Sequence, residues 1–289
     1  MDTFLAIIVS GMGTSGIYAL MAIGVTLIFG VGRVINFAHG AFYTLGAYFA
    51  YTYYDIVGAP LVPAIVLAIV TVAIFAILFD RYFIDPLRGN LIIVWMMTFA
   101  LAFVVREALI LIFGAQPRSI PPLIDASVDL LGQTISTQRI LIVVFSLGAI
   151  VMLWMFLSMT RIGKGLQAVA QHRNSAQLVG IPIKQANAIV MGISAGLAAF
   201  AGIMITPIAV ATPDMGLDAL MMAFTVVIFG GIGSIKGTII AALIIGYANT
   251  IISFLINPQL VTIGALIVVF SVVLLRPTGL FGFDLEERG

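Results

Sequence analysis

The sequence predicts an all-α polytopic membrane protein, and three observations support this fold class. Of the 289 residues, 62% are hydrophobic and only 9% are charged, whereas soluble domains carry about 45–50% apolar and about 25% charged residues. The apolar residues form runs that approach the roughly 20 residues a spanning helix needs. The 29 glycines suit membrane helices that pack closely. We therefore expect one membrane domain over residues 1–289, built as a bundle of eight to ten transmembrane helices.

Nine apolar segments, taken in order along the chain, account for these helices. The first follows Met1-Asp2-Thr3, which lacks the basic start of a cleavable signal peptide, so we expect it to remain as a membrane span. The stretch 209–236 contains Pro213 and several glycines, and it is predicted either as one span or as a broken helix. The nine segments lie at residues 4–29, 40–57, 61–79, 91–113, 139–159, 186–207, 218–235, 237–256 and 260–275.

The basic residues predict how the bundle is oriented. Cytoplasmic loops are enriched in Lys and Arg, and most of the 13 basic residues fall on the cytoplasmic side if the N-terminus lies outside. Arg118 and Arg139 then lie outside, and Arg106 lies within a span. We therefore expect the N-terminus outside and the C-terminus in the cytoplasm. The residues assigned to the cytoplasmic side are Arg33, Arg81, Arg88, Arg161, Lys164, Arg173, Lys184, Lys236, Arg276 and Arg288.

The outer loop 114–138 is one of two connections long enough to form structure outside the membrane. Pro117, Pro121 and Pro122 exclude one long helix here. The outer loops also carry the acidic residues Asp2, Asp55, Asp125, Asp129 and Asp214, with Asp218 at the edge.

The cytoplasmic loop 160–185 is the other long connection. Alanines predict a short helix over residues 164–179, with Gly180 just past its end. Apolar residues recur on one face, which suits either docking into a partner protein or lying on lipid headgroups. The residues of interest are Lys164, Leu166, Val169, Ala170, Arg173, Leu178 and Gly180.

A polar run, Gly32-Arg33-Val34-Ile35-Asn36-Phe37-Ala38-His39-Gly40, interrupts the first two apolar segments. Backbone groups at such a break need partners or water. Arg33 fits the cytoplasmic interface, and Asn36 could cap the second span. The run fits both a capped interfacial turn and a gate at the inner mouth, for which Arg33, Asn36 and His39 are the candidate residues.

Arg106 and Glu107 are adjacent ionisable residues within the fourth segment. Charges at membrane depth are costly and usually face protein or a water-filled cavity. Adjacent residues do not face each other on a helix, so we expect each to have a separate partner. Both a buried structural pair and a position on a translocation pathway fit.

Several chemistries are excluded by what the sequence lacks. No G-x-x-x-x-G-K-[ST] loop, H-E-x-x-H or G-x-S-x-G motif occurs, and the chain has no Cys for thiol catalysis or metal binding. The balance of 13 basic against 12 acidic residues argues against binding nucleic acid. We therefore expect no catalytic residues, no metal site and no cofactor in this chain.

The sequence resembles the LivH-type permeases, the membrane subunits of branched-chain amino acid ABC importers. The string Arg33–Gly40 is the most specific part of this resemblance, and further motifs agree with it along most of the chain. They are Leu27–Gly30, Leu45–Tyr48, Gly114–Ser119, Lys164–Ile181, Gly230–Gly237 and Leu275–Gly282. Arg106 and Glu107 stand where we would expect uncharged polar residues.

The resemblance implies a permease in a bacterial inner membrane that moves leucine, isoleucine or valine by ATP-driven alternating access. It implies a second, related permease subunit, two cytoplasmic subunits that bind ATP-Mg, and a periplasmic substrate-binding protein. It also favours docking of the 164–180 helix onto the ATP-binding subunits, which would couple ATP hydrolysis to transport. The same machinery could carry urea, short amides or other amino acids. An ion-coupled carrier or channel, and a membrane enzyme, are the alternatives from other classes.

Overall fold

The computed structural model describes residues 2–130, 133–275 and 279–281. Across these residues the chain is mostly helical, with one β-hairpin. π-helical turns follow three helices at Ile28–Gly32, Thr52–Ile56 and Asp80–Ile84, and short 3-10 helices lie at Asp85–Leu87 and Pro258–Leu260. The elements are α1 Asp2–Leu27, α2 His39–Tyr51, α3 Leu61–Phe79, α4 Leu91–Phe113, β1 Ser127–Leu130, β2 Gln133–Ser136, α5 Thr137–Met159, α6 Arg161–Gln171, α7 Arg173–Leu178, α8 Ile183–Ile205, α9 Met215–Gly230, α10 Ile235–Leu255 and α11 Val261–Leu275.

Six helical segments of the described chain are long and apolar enough to cross a membrane. Each coincides with one of the nine predicted segments. The other three overlap the shorter helices α2, α9 and α11, of 13, 16 and 15 residues. Sixteen helical residues rise about 24 Å, which falls short of a hydrocarbon core about 30 Å thick. The six long segments are Phe4–Gly32, Leu61–Leu87, Leu91–Phe113, Thr137–Met159, Ile183–Ile205 and Ile235–Leu255.

Helices α1 and α10 form the most extensive antiparallel pair of the bundle. Near one end, the hydroxyls of Thr26 and Thr238 lie 2.8 Å apart, and near the other Tyr247 donates a hydrogen bond of 3.3 Å to the Ile8 carbonyl. Gly246 sits directly against Ser15, where a side chain would collide with its backbone. Such close approach between helices is what small residues permit in a membrane bundle.

Helix α2 begins inside the bundle rather than at its edge. His39 Nε2 lies 3.0 Å from the carbonyl oxygen of Met21, about three turns, or about 16 Å, before the π-helical turn ends at Gly32. The incoming residues 33–38 are not helical, and side chains accept two of their backbone N–H groups. The Phe37 N–H donates to Thr98 Oγ1 at 3.2 Å, and the Ala38 N–H donates to Asn36 Oδ1 at 3.0 Å. This meets the rule that irregular backbone at membrane depth must be covered by protein.

Helix α9 also begins inside the bundle, at the same level as α2. Gly216, the second residue of α9, packs against the backbone of Gly40. The chain reaches this point from α8 through residues 206–214, which form turns and irregular structure. After Gly230, Gly231 and Gly233 adopt φ of 100° and 86°, which favours glycine and directs the chain into α10. The stretch 209–236 therefore contains a short helix with an irregular start, not one continuous span.

The ends of the bundle form two distinct surfaces. We call the first the basic face, since it carries Arg33, Arg88, Arg173 and Lys184. There, Arg88 donates to the Gly32 carbonyl at 3.2 Å and pairs with buried Asp80, while Lys184 lies 3.0 Å from Asp85. Arg276 and Arg288, which the sequence also assigns to this side, lie outside the described residues.

The opposite surface, the hairpin face, carries the predicted outer loop 114–138. Its prolines exclude a long helix, and β1 and β2 pair here in antiparallel register with Val128 opposite Ile135. Residues 131–132 of this loop lie outside the described part. Next to the hairpin, the backbones of Arg118 and Ala211 exchange two hydrogen bonds of 2.9 and 2.7 Å.

Candidate functional site

A pocket of about 140 Å³ lies where α2 and α9 begin, and α4 closes one side of it. Its walls are mostly apolar and aromatic, and polar side chains enter it from Thr44, Arg106 and Asp214. It opens between α4 and α9, where Phe99, Phe103, Leu217 and Met221 are exposed. The lining residues are Phe37, Gly40, Ala41, Thr44, Phe99, Ala102, Phe103, Val105, Arg106, Pro213, Asp214, Gly216, Leu217, Leu220 and Met221.

Two glycines set the back wall of this pocket. A Cβ added at Gly40 would overlap the carbonyl oxygen of Gly216, and a Cβ added at Gly216 would overlap that of Gly40. Only glycine at both positions lets the starts of the two helices touch backbone to backbone. The polar run Gly32–Gly40 therefore contributes to the pocket through its last residue and through Phe37.

Arg106 and Asp214 line the pocket, and Glu107 contacts Arg106 beside it, so we call these three side chains the rim. Arg106 lies about two turns before α4 ends at Phe113. Arg106 Nε lies 2.5 Å from Asp214 Oδ1, and a guanidinium Nη1 of the same residue contacts Glu107. The side chains of Arg106, Glu107 and Asp214 are 38%, 57% and 61% exposed, so they form no buried pair within this chain. Charged side chains at membrane depth usually face protein or water.

The prediction that Arg106 and Glu107 have separate partners is right in part and wrong in part. Arg106 does have a distant partner, Asp214, but it also contacts Glu107 itself. The side chains of adjacent residues leave a helix in different directions. The arginine side chain is long enough for its guanidinium to reach the Glu107 carboxylate all the same.

The other candidate gate residues lie away from this rim. Asn36 and His39 are buried inside the bundle, where the Asn36 amide is 3.3 Å from Met191 Sδ and His39 contacts α1. Asn36 does not cap α2 directly: its side chain accepts from Ala38, one residue before the helix. Arg33 is exposed at the basic face. The structure therefore separates these three residues from Arg106 and Glu107.

Sequence reasoning missed the residues that complete the site. Asp214 reads only as an acidic loop residue, because its partner Arg106 is 108 positions away in the chain. In the sequence Phe37 belongs to a polar run. In the structure Asn36 contacts α8 and Phe37 contacts α4. Phe99 and Phe103 read as ordinary lipid-facing positions of an apolar helix.

The predicted helix 164–179 is two helices in the structure. α6 begins at Arg161, because Thr160 Oγ1 accepts the Gly163 N–H at 2.9 Å as an N-cap. His172 is extended and separates α6 from α7. At the end of α7, Gly180 has φ of 86°, and Gly180 and Ile181 donate to Gln177 and Ala176. These bonds form a Schellman motif, as expected for glycine at this position.

The apolar face of α6 is covered by the chain itself. Leu166 and Val169 are buried, and α6 packs on α5, on α8 and on the π-helical turn Ile28–Gly32. Ala170 is half-buried and Lys164 is exposed. The most exposed apolar residues of this loop are Leu178 and Val179 at the end of α7, which are 88% and 77% exposed beside Gly180.

Arg173 lies among other cations at the basic face. Burial lowers the pKa of Arg173, and the positive charges of Arg88 and Arg33 lower it further, while Asp85 opposes this. The three guanidinium groups are therefore close enough to interact, and the surface beside α7 carries concentrated positive charge.

No group of three or more His, Cys, Asp or Glu residues is placed to hold a metal ion in the described ranges. His39 begins α2, whereas His172 lies between α6 and α7.

Comparisons with known proteins agree over nearly the whole chain. The family described as "Branched-chain amino acid transport system / permease component" matches residues 7–275. The BraD high-affinity branched-chain amino acid transport system permease protein of Pseudomonas aeruginosa is 31% identical over 99% of this chain and 98% of its own length. The LivH permease protein of Escherichia coli is 28% identical over 99% of this chain and 97% of its own length.

A solved structure shares the fold. The chain aligns with "PsaBC from Streptococcus pneumoniae in complex with Fab" at a TM-score of 0.51, covering 93% of this chain and 91% of the other. The sequence identity is 14%, so this likeness concerns the arrangement of helices alone.

Proposed function

The chain belongs to the branched-chain amino acid transport system permease family, and we propose that it is the permease subunit of an ABC importer that moves leucine, isoleucine and valine across a membrane. The observation that carries this proposal is the family match over residues 7–275. The pocket between α2, α4 and α9 supports it, since its apolar walls suit an aliphatic side chain.

The importer would contain four further chains. These are a second permease subunit, two cytoplasmic subunits that bind ATP-Mg and a periplasmic substrate-binding protein, with this chain in the bilayer of a bacterial inner membrane. The basic face would lie in the cytoplasm because Arg and Lys are enriched there. This orientation places the N-terminus and the hairpin face outside, and the C-terminus in the cytoplasm.

Coupling to ATP hydrolysis would begin at the basic face. Leu178 and Val179 would dock into the ATP-binding subunits, and Lys164, Arg173 and Gly180 would border the contact. Leu166, Val169 and Ala170 would pass the movement inward, since α6 packs on the π-helical turn Ile28–Gly32. That turn leads directly into residues 33–38, which bring Phe37 to the pocket. Alternating access would thus use a continuous packed path from the ATP-binding subunits to the pocket.

The pocket also bears on the choice of cargo. Urea and short amides have no side chain to fill apolar walls, and their polar groups would lie unpaired against Phe99 and Leu220. A branched aliphatic side chain gains about 25 cal/mol for each Å² of apolar surface buried. Branched-chain amino acids therefore fit this site better than those alternatives.

Two measurements test the proposal. Purification of the chain from its native membrane in mild detergent, followed by mass spectrometry, should recover two ATP-binding subunits and a second permease. Deletion of the gene should abolish ATP-dependent uptake of labelled leucine at low concentration. Recovery of the chain alone, together with leucine uptake driven by an ion gradient without ATP, would contradict the proposal.

A further inference from the structure

We propose that the pocket and its rim form a binding site for one α-amino acid, with Arg106, Asp214 and Glu107 holding the zwitterionic head group and the apolar walls holding the side chain. This inference rests on the proposed function and deepens it, because it assigns the cargo to named residues of this chain.

The guanidinium of Arg106 has hydrogen-bond donors to spare. An arginine side chain carries five N–H donors, of which Nε–H points to Asp214 and one on Nη1 points to Glu107. Among the described residues, the remaining three donors have no partner. A carboxylate accepts two parallel N–H bonds from such a fork, so the amino acid carboxylate fits this position.

The two acidic side chains offer acceptors on either side of that fork. Asp214 and Glu107 each use one carboxylate oxygen for Arg106, which leaves the second oxygen of each without a partner in the part of the chain described. An ammonium group carries three donors and can use these oxygens. The rim thus presents a cation flanked by anions, and a zwitterion presents the complementary pair of charges.

The walls beneath the rim suit an aliphatic side chain. Phe37, Phe99, Phe103 and Leu220 surround the cavity, and the Thr44 hydroxyl already donates to the Gly40 carbonyl at 3.3 Å. A sugar would therefore leave its hydroxyls unpaired here, at the cost of burying polar groups without partners.

The position of the rim favours a role in ligand binding over a purely structural role. Charged residues at membrane depth face protein or water, and these three remain partly exposed although each is paired. The pocket opens on the side where the apolar Leu217 and Met221 are also exposed. A second permease subunit packed on α4 and α9 would close the site around the head group.

Photolabelling tests the site directly. The complete importer is reconstituted in liposomes, loaded with a diazirine analogue of leucine, irradiated and mapped by mass spectrometry. We expect labels on α4 and α9, at peptides that contain Phe99, Phe103 or Leu217, and competition by excess leucine but not by ribose. A second cavity of about 270 Å³, lined in part by Tyr18, Arg139 and Asn249, and an apolar groove of about 750 Å³ beside Phe145 and Phe200 are the alternative locations.

Matched arginine variants distinguish binding at the pocket lined by Arg106 from binding at the cavity lined by Arg139. Arg106→Gln and Asp214→Asn should each lower labelling about tenfold or more, since each removes a charge-assisted hydrogen bond. Arg139→Gln, which removes an arginine from the other cavity, should leave labelling unchanged. Labels around Arg139, or labelling that survives Arg106→Gln, would overturn the inference.

A charge exchange tests whether the ion pair is only structural. The double variant Arg106→Asp with Asp214→Arg keeps the pair but moves the cation from α4 to the residue that precedes α9. We expect leucine transport to fall about tenfold or more, while ATP hydrolysis stimulated by the binding protein is retained. Full transport by the double variant would show that the pair serves packing alone.

The two proposals fail in different ways. A wild-type importer that transports no leucine would contradict the proposed function. A wild-type importer that transports leucine but is not labelled at this pocket would contradict only this assignment.

Discussion

Two polar regions that stand out in the sequence occupy opposite environments in the structure. Asn36 and His39 are buried between α1, α2 and α8, where they hold the non-helical segment before α2. Arg106 and Glu107 lie at an open rim with Asp214. The comparison shows that the surroundings of a polar residue at membrane depth indicate its role. Polar residues inside the bundle fix the backbone, and those at its edge remain available to a ligand or a partner.

The same division appears between α6 and α7. Leu166 and Val169 are covered by the bundle, while Leu178 and Val179 are open. We therefore expect changes in the covered residues to act on stability, and changes in the open residues to act on transport or assembly.

A large loss of stability should come from Gly40→Val. The new side chain would overlap the Gly216 carbonyl, so the starts of α2 and α9 must separate. Overpacking costs about 1–3 kcal/mol and sometimes more, which thermal unfolding in detergent measures. Gly89→Val is the matched control, because nothing lies within 4 Å of the added atom. Equal unfolding midpoints for both variants would contradict the close helix contact.

A comparison of Leu166→Ala with Leu178→Ala tests whether the covered and the open residues of loop 160–185 have different roles. Leu166 is buried, so truncation should cost about 2–5 kcal/mol. Leu178 is exposed, so its truncation should change the free energy of unfolding by less than about 0.5 kcal/mol. Leu178→Ala should instead lower the amount of ATP-binding subunit that co-purifies. Destabilisation by Leu178→Ala with assembly unchanged would reverse the assignment of the two faces.

A comparison of His39→Ala with Arg106→Gln tests whether the buried and the open polar regions have different roles. Removing His39 leaves a cavity and loses its bond to Met21, so unfolding should become easier by about 1–3 kcal/mol. Arg106→Gln should leave stability nearly unchanged, because exposed ion pairs contribute little, yet it should lower leucine uptake. Unfolding midpoints and uptake measured on both variants decide between the two roles.

A small loss of stability should come from Thr98→Val. This change removes the acceptor for the Phe37 N–H, at a cost of about 1 kcal/mol, and frees Phe37 to move in the pocket wall. We expect a higher KM for leucine uptake with little loss of protein. Thr52→Val is the control, since the Thr52 hydroxyl bonds only to its own helix at Tyr48. An unchanged KM in both variants would show that Phe37 does not shape the site.

Local patterns predict much of this fold. Each of the nine apolar segments overlaps a helix, because hydropathy is a property of neighbouring residues. The places where α2 and α9 begin at depth depend instead on contacts such as Gly40 with Gly216. Periodicity shows that α6 has one apolar face, but not that its own bundle covers Leu166. The pairing of Arg106 with Asp214 joins residues 108 positions apart, which no local pattern reveals.

The most direct test of a leucine pathway at this pocket uses the absence of cysteine from the chain. A single Leu217→Cys variant in the complete importer is treated with a charged, membrane-impermeant thiol reagent, with Val62→Cys on α3, also exposed, as the control. We predict that the reagent blocks leucine uptake through Leu217→Cys, that leucine protects against it, and that Val62→Cys is unaffected. Modification of Leu217→Cys without loss of uptake, or without protection by leucine, would contradict the account.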